Sequence, residues 1–391
     1  MRLRSWKARS KRALVAVALT TTAVTGTAGW AVGSEQQPLT GPPPGTSSWR
    51  ADHPWGLRLP DPASASPARI AAFFASLSAG QREGLAARHP SVVGNLDGAP
   101  AALRYQANRL SLRAERARER ARSTDPDLTA QDHERARASM SRYDELLTPG
   151  RQILAFDPRG RGQIAEVYGD LAGARDVSVV VPGSDIDLST FDRAKGTYGT
   201  PSGMARSLRA AAGDGTAVVA WVGYTTPVGL GPDAATGRLA EAGAPRLARF
   251  VQGLTAAGTP RPALFCHSYG SVVCGLAAPR LSARDLVVLG SPGMRADSVA
   301  DLHTEARVWA AKDDSDWIGK VPNVELFGLG HGEDPAAPGF GARHIPAERA
   351  KGHTGYFAPG TDSLRAFARI AGGDDPTGET HDSTRGIGAR P

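Results

Sequence analysis

Cysteine is scarce: Cys266 and Cys274 are the only two in 391 residues. Two cysteines are too few for a disulfide framework, and no Cys/His set has zinc-ligand spacing. One cysteine ends an apolar run and the other lies about two helical turns further on. That separation argues against a bridge, so both read as small buried residues. Excess charge is absent from most of the chain. Of the net charge of +7, Arg2, Arg4, Lys7, Arg9, Lys11 and Arg12 supply six units, with no acid before Ser34. The remainder is close to neutral, which argues against a nucleic-acid partner. No internal repeat is present, and the longest uncharged run, which includes Ala13–Gly33, lies at the N-terminus.

That cationic, then uncharged, start reads as a secretory signal peptide over residues 1–33, with Ala31 and Gly33 as small residues for a peptidase. The alternative is an uncleaved anchor, because about 20 residues can just span a bilayer. The many Thr and Gly residues make it a poor one. There is no Arg-Arg pair for a twin-arginine route. The expected location is extracellular, secreted or at the cell surface, with membrane contact only through this segment if it is retained.

A hydrophobic content of 41% and a charged content of 22% fit a globular body after the leader. Residues 34–67 are rich in Pro, Ser and Gly and read as a linker. Residues 68–150 read as a helical region, with an apolar face at Phe73, Phe74 and Leu77 and long helices over 101–122 and 131–147. From 151 to 371 the pattern is short strands separated by helices. Strands are expected at 153–156, 163–168, 177–181, 217–221, 263–266, 286–289, 307–310 and 324–327. A hairpin followed by alternating strands and helices implies an α/β class with an eight-stranded, mostly parallel sheet covered on both faces. Residues 372–391 are expected to form a disordered tail.

The chemistry centres on Ala263-Leu264-Phe265-Cys266-His267-Ser268-Tyr269-Gly270-Ser271. An apolar strand, a small-residue turn carrying a serine, and an apolar helix make the layout of a G-x-S-x-G nucleophile elbow, with Cys266 in place of the first glycine. Ser268 is the candidate nucleophile. The Tyr269 backbone N–H, at a helix N-terminus, is a candidate oxyanion donor. A second donor is expected from Ser184, after Val181-Pro182-Gly183. Tyr224 is a candidate for lining the cleft, and Gly290-Ser291-Pro292-Gly293 reads as a turn beside the pocket.

In this fold the acid and then the histidine follow the serine in the chain. Asp313, Asp314 and Asp316 all lie after the seventh expected strand. Asp316 is preferred because Trp317-Ile318 would anchor the loop and bury its carboxylate, whereas Asp313 and Asp314 read as exposed turn residues. His331, His344 and His353 satisfy the order for the histidine, and spacing leaves His331 and His353 open.

These segments, taken in order, resemble an actinobacterial α/β-hydrolase family catalogued as a domain of unknown function. The resemblance spans roughly residues 70–371. It includes Pro90-Ser91-Val92-Val93-Gly94-Asn95-Leu96-Asp97-Gly98-Ala99-Pro100, Trp221-Val222-Gly223-Tyr224, the elbow, Asp316-Trp317-Ile318, His331-Gly332-Glu333-Asp334-Pro335 and Gly352-His353-Thr354-Gly355-Tyr356. The resemblance implies an α/β-hydrolase fold and points to His353, in the Gly-His-x-x-Tyr segment, as the triad histidine. Cys266 departs from the usual glycine.

The expectation is a secreted serine hydrolase, a carboxylic-ester hydrolase using Ser268, Asp316 and His353. The substrate would be a small ester or acyl compound, with no metal or organic cofactor. The rival reading is an inactive scaffold serving as a cell-surface binding module. No long apolar lid is evident, which disfavours a large lipid. The role of the N-terminal helices, lid or sheet-edge cover, is open. Intact-mass measurement of secreted protein is expected to give a mature N-terminus near Ser34; full-length chain in the membrane fraction would establish the anchor instead.

Overall fold

A computed structural model describes residues 36–376, apart from 322 and 327. The leader at 1–33 and residues 377–391 of the expected tail lie outside the described residues.

Among the described residues, eleven strands form in chain order: β1 (Gln152–Asp157), β2 (Gln163–Tyr168), β3 (Asp176–Val181), β4 (Thr216–Val222), β5 (Ala263–His267), β6 (Asp285–Leu289), β7 (Gly293–Ala296), β8 (Arg307–Ala311), β9 (Glu325–Leu326), β10 (Leu329–Gly332) and β11 (Arg343–Ile345). Eight of them build the main sheet in the order β1-β2-β4-β3-β5-β6-β8-β11. Only β2 runs against its neighbours; β4, β3, β5, β6, β8 and β11 are mutually parallel. The central strands are buried on both faces, which is why they read as continuous runs of Val, Leu and Ala rather than alternating patterns. Helices Arg238–Ala256 and Gly270–Ala277 cover one face, and Pro201–Ala212 and Asp362–Ala371 cover the other. This is the α/β-hydrolase fold.

The expected eighth strand at 324–327 is corrected. Glu325–Leu326 pairs antiparallel with β10 in a separate three-stranded sheet, β7-β10-β9. The eighth strand of the main sheet is β11, parallel to β8. It has three residues, of which only Ile345 is buried, so an edge strand this short carries no hydropathic alternation to read.

The linker reading of 34–67 is also corrected from residue 36 onward. Thr46–Ala51 is helical, Trp49 is fully buried, and its indole N–H donates to the Pro60 carbonyl at 2.8 Å. The prolines here shape a packed arm rather than a free spacer. The helices that follow cover the β1 edge of the sheet. The Asn95 side chain donates to the Phe156 carbonyl (2.8 Å) and accepts from the Phe156 N–H (3.1 Å), as a neighbouring strand would. Asn108 donates to the Ile153 carbonyl at 3.0 Å. An exposed edge of unpaired backbone groups is thereby closed.

Cys266 and Cys274 form a disulfide, contrary to the sequence-based expectation, with Cα atoms 6.5 Å apart. The helix after the serine folds straight back over β5, which brings its second turn beside the strand end. Both cysteines are fully buried in the main core. A bridge closing a loop this short restricts the unfolded chain by about 2–3 kcal/mol. Replacing both cysteines with alanine is expected to lower the urea unfolding free energy by about that amount relative to the oxidised protein. An unchanged midpoint would remove the bridge from the account of stability.

Candidate active site

Ser268 sits directly after β5 with φ of 55°, in the left-handed region that a side-chain-bearing residue rarely adopts. The turn is over-determined by its surroundings. The Ser268 N–H donates to the Leu289 carbonyl at 3.0 Å, while its own carbonyl accepts from the Ser271 N–H (2.9 Å) and the Ser271 hydroxyl (2.5 Å). A Cβ on Gly270 would lie 2.5 Å from the Val181 carbonyl oxygen, so only glycine fits there. Cys266, at the other small position, turns its side chain away from the elbow into the disulfide.

The structure brings Ser268, His353 and Asp316 together. His353 Nε2 is 2.8 Å from Ser268 Oγ, and Nδ1 is 2.9 and 3.0 Å from the two Asp316 carboxylate oxygens. With Asp316 ionised, Nδ1 carries the ring proton and donates, which leaves Nε2 to accept from the serine hydroxyl. Burial pushes the Asp316 carboxyl up. Hydrogen bonds from His353, the Ile318 N–H and the Tyr356 hydroxyl outweigh that and hold it below the ordinary value.

Three supporting residues carried no signal strong enough to assign a role from sequence. Tyr356 is buried; its hydroxyl donates to Asp316 Oδ2 at 2.7 Å and accepts from the Asp313 N–H at 3.1 Å. The Gly-His-x-x-Tyr spacing contained it without saying what the tyrosine does. His267, beside the nucleophile, donates from Nε2 to the His353 carbonyl at 2.7 Å and so fixes the histidine loop. Gly290 has φ of +53°, and a Cβ there would lie 2.9 Å from Asp316 Oδ2 and 3.1 Å from His353 Nδ1. The turn read as lining the pocket therefore makes room for the acid and histidine themselves.

Other expectations are corrected or resolved. Asp313 is buried rather than exposed, and its carboxylate accepts from the Gly352 N–H at 2.7 Å, joining the acid loop to the histidine loop. Asp314 is exposed. His331 is buried away from the serine; its Nε2 donates to the Ala234 carbonyl at 2.7 Å and its ring meets Tyr269 edge-on. His344 is exposed on β11. Tyr224 does not line the cleft. It is buried, and its hydroxyl donates to the Pro182 carbonyl at 2.7 Å, steadying the loop that leads to Ser184.

That loop lies against the nucleophile: a Cβ on Gly183 would be 2.6 Å from Ser268 Cβ and 3.0 Å from Oγ. Among the described residues, neither the Tyr269 nor the Ser184 backbone N–H donates to a protein acceptor. No group of three or more His, Cys, Asp or Glu side chains is arranged to hold a metal ion among the described residues.

A family model described as alpha/beta hydrolase matches residues 157–326. An uncharacterized Mycobacterium tuberculosis protein is 30% identical over 387 residues, covering 81% of this chain and 57% of its own length. An uncharacterized Mycobacterium bovis protein is 33% identical over 170 residues, covering 40% of this chain and 63% of its own. The chain thus spans less than two thirds of the curated relatives it matches. Among solved structures, a predicted CIB-like hydrolase from Thermoplasma acidophilum aligns with 56% of this chain and 94% of its own, at 13% identity and a TM-score of 0.34.

Burial, with the nearby His353, lowers the His267 pKa from 6.5 to about 3, and burial lowers that of His331 to about 4. Between these values and 6.5 the unfolded chain binds protons that the folded protein does not. Stability is therefore expected to fall as pH drops from about 6.5 toward 4, by up to about 1.4 kcal/mol per pH unit for each histidine. Asp316, with its depressed pKa, extends the loss at lower pH. Thermal midpoints measured from pH 7.5 to 4.5 check this, and a flat profile would contradict neutral burial of both rings.

Proposed function

We propose that this protein is an exported serine hydrolase acting on carboxylic esters. The observation that carries the reading is the continuous hydrogen-bonded chain from Ser268 Oγ through the His353 ring to the buried Asp316 carboxylate. Ser268 Oγ attacks the acyl carbon while His353 Nε2 takes its proton. The resulting oxyanion accepts from the Tyr269 and Ser184 N–H groups, which have no protein acceptor among the described residues. His353 then gives the proton to the leaving alcohol as the C–O bond breaks. Water attacks the acyl-enzyme with His353 again as base; the acyl–Oγ bond then breaks, the acid is released, and His353 returns the proton to Ser268 Oγ. Asp316 fixes the ring tautomer and stabilises the imidazolium, and Tyr356 holds Asp316 in place.

Export is supported by the basic and then uncharged start of the sequence and by the buried Cys266–Cys274 disulfide, because such bonds persist in oxidising compartments. A fluorophosphonate probe is expected to label Ser268 of the purified protein, mapped by mass spectrometry, and to leave Ser268→Ala unlabelled. Ester turnover in that variant is expected to fall by about 10³-fold or more. A folded wild-type protein that takes no label would overturn the assignment in favour of a non-catalytic scaffold.

A further inference from the structure

Seven large apolar side chains are more than a third exposed among the described residues, and they are not scattered. Trp55 lies in the N-terminal arm. The other six, Tyr198, Val228, Leu230, Trp317, Val324 and Leu329, all lie on segments that follow the C-terminal ends of β3, β4 and β8. That is the end of the sheet where β5 delivers Ser268.

Each of these segments is tied to the nucleophile's surroundings. The Trp317 ring centroid is 4.6 Å from that of His353. Gly199, next to Tyr198, abuts the neighbour of His353: a Cβ there would lie 2.6 Å from Thr354 Cγ2. The Val228–Leu230 loop is joined to the residue after Ser184, through Asp185 N–H to the Pro227 carbonyl (2.8 Å) and Gly229 N–H to the Asp185 carboxylate (2.8 Å). Leu329 pairs with Thr236, whose carbonyl accepts from the Tyr269 hydroxyl at 2.7 Å. Asn323, next to Val324, donates to the Pro292 carbonyl at 3.4 Å.

Three ion pairs lie beside these side chains. Asp233 pairs with Arg238 (2.7 Å), Arg295 with Glu325 (2.7 Å) and Lys312 with Asp334 (2.6 Å). The loop carrying Val228 and Leu230 is also fastened from outside. Gln36 N–H donates to Asp233 (2.7 Å), Arg238 donates to the Gln36 carbonyl (2.6 Å), and Leu39 N–H donates to the Thr225 hydroxyl (3.0 Å). It is a held wall, with Leu230 74% exposed at its crest. Large apolar side chains kept in water at one end of the sheet gain from covering by an apolar ligand.

We propose that this rim takes the acyl chain of the substrate, so that the esters cleaved at Ser268 carry a medium or long hydrocarbon acyl group. The inference rests on the serine-hydrolase reading above. Each methylene moved from water onto the rim is worth a factor of about two to four in kcat/KM.

The test compares p-nitrophenyl acetate and octanoate, both below their aggregation concentrations, alongside fluorophosphonate labelling of Ser268. Over the six extra methylenes, the expected result is an octanoate-to-acetate ratio in kcat/KM of about 60 or more. Leu230→Ser and Leu329→Ser, both on exposed positions that folding does not require, are each expected to lower that ratio several-fold. Labelled protein with a flat or falling chain-length profile would overturn the acyl-rim assignment and leave the hydrolase standing. A steep profile indifferent to both substitutions would also overturn it. Protein that takes no label would overturn the hydrolase reading, and the rim assignment with it.

Discussion

The site is organised around one backbone constraint, the left-handed conformation of Ser268. Placing a side-chain-bearing residue there costs about 1–2 kcal/mol, and the cost is met only because neighbouring elements leave no alternative. β5 must end and a helix begin within two residues, with Gly270 pressed against the carbonyls of Val181 and Pro182. Ser271 ties the new helix to the Ser268 carbonyl and meets Ser291 at 2.6 Å, linking the elbow to the turn after β6. The disulfide then joins the strand before the serine to the helix after it. The replacement of the usual elbow glycine by Cys266 thus adds a covalent clamp across the strained turn, using a direction in which the side chain meets core rather than substrate.

The histidine and acid obey a different logic, because they come from loops rather than from strand ends. Two loops must be held in register to hydrogen-bond accuracy, and two buried polar links do it: Asp313 to Gly352 and Tyr356 to both Asp316 and Asp313. The buried Asp316 carboxylate is tolerable only because three donors surround it, and the same donors dictate its orientation. The two aspartates therefore divide the work, one fixing the path of the histidine loop and one facing the imidazole. His267 adds a third tie from the nucleophile's own strand, so displacement of the histidine loop would disturb both neighbours at once.

The legible parts of the sequence were those with strong periodicity or a chemical order. The main-sheet strands up to β8 stand where apolar pattern placed them, because burial on one or two faces leaves a repeating signature, and the helix at 101–122 stands where its Arg, Ala and Glu content placed it; β7, in the small sheet, was read as part of a turn. The order of serine, acid and histidine narrowed the site to a few candidates, and the apolar Trp317-Ile318 pair singled out the buried Asp316. Illegible parts were those decided by tertiary contact. β11 is short and polar, so Glu325–Leu326 and its flanks took its place in the reading. That error kept His331 in contention. With β11 as the eighth strand, His331 precedes it and only His353 lies on the connection to the last helix. The disulfide was missed for the same reason, since the sharpness of the elbow reversal, not residue count, sets the distance between Cys266 and Cys274.

The helical N-terminal region is best understood from the sheet it borders. A hairpin at the end of an open sheet leaves β1 with unpaired backbone groups, and two asparagine amides from the helical region occupy several of them. Gly253 packs so tightly against Asp97 that a Cβ would lie 2.6 Å from its side chain, and Arg249 reaches the Pro62 and Ala65 carbonyls from the same sheet-covering helix. These contacts place the helices on the edge and back of the α/β-hydrolase fold, while Ser268 stands at the end of the sheet from which the loops after β3, β4 and β8 depart. Access to Ser268 is accordingly set by those loops. The arm at Gln36–Leu39 is the one part of the described N-terminal region that reaches the loop after β4, and it does so by pinning the wall that carries Leu230 rather than by covering the serine. The segments that close one edge of the sheet are therefore separate from those at the strand ends, and under the proposed function the rim can vary without disturbing the fold that holds the elbow.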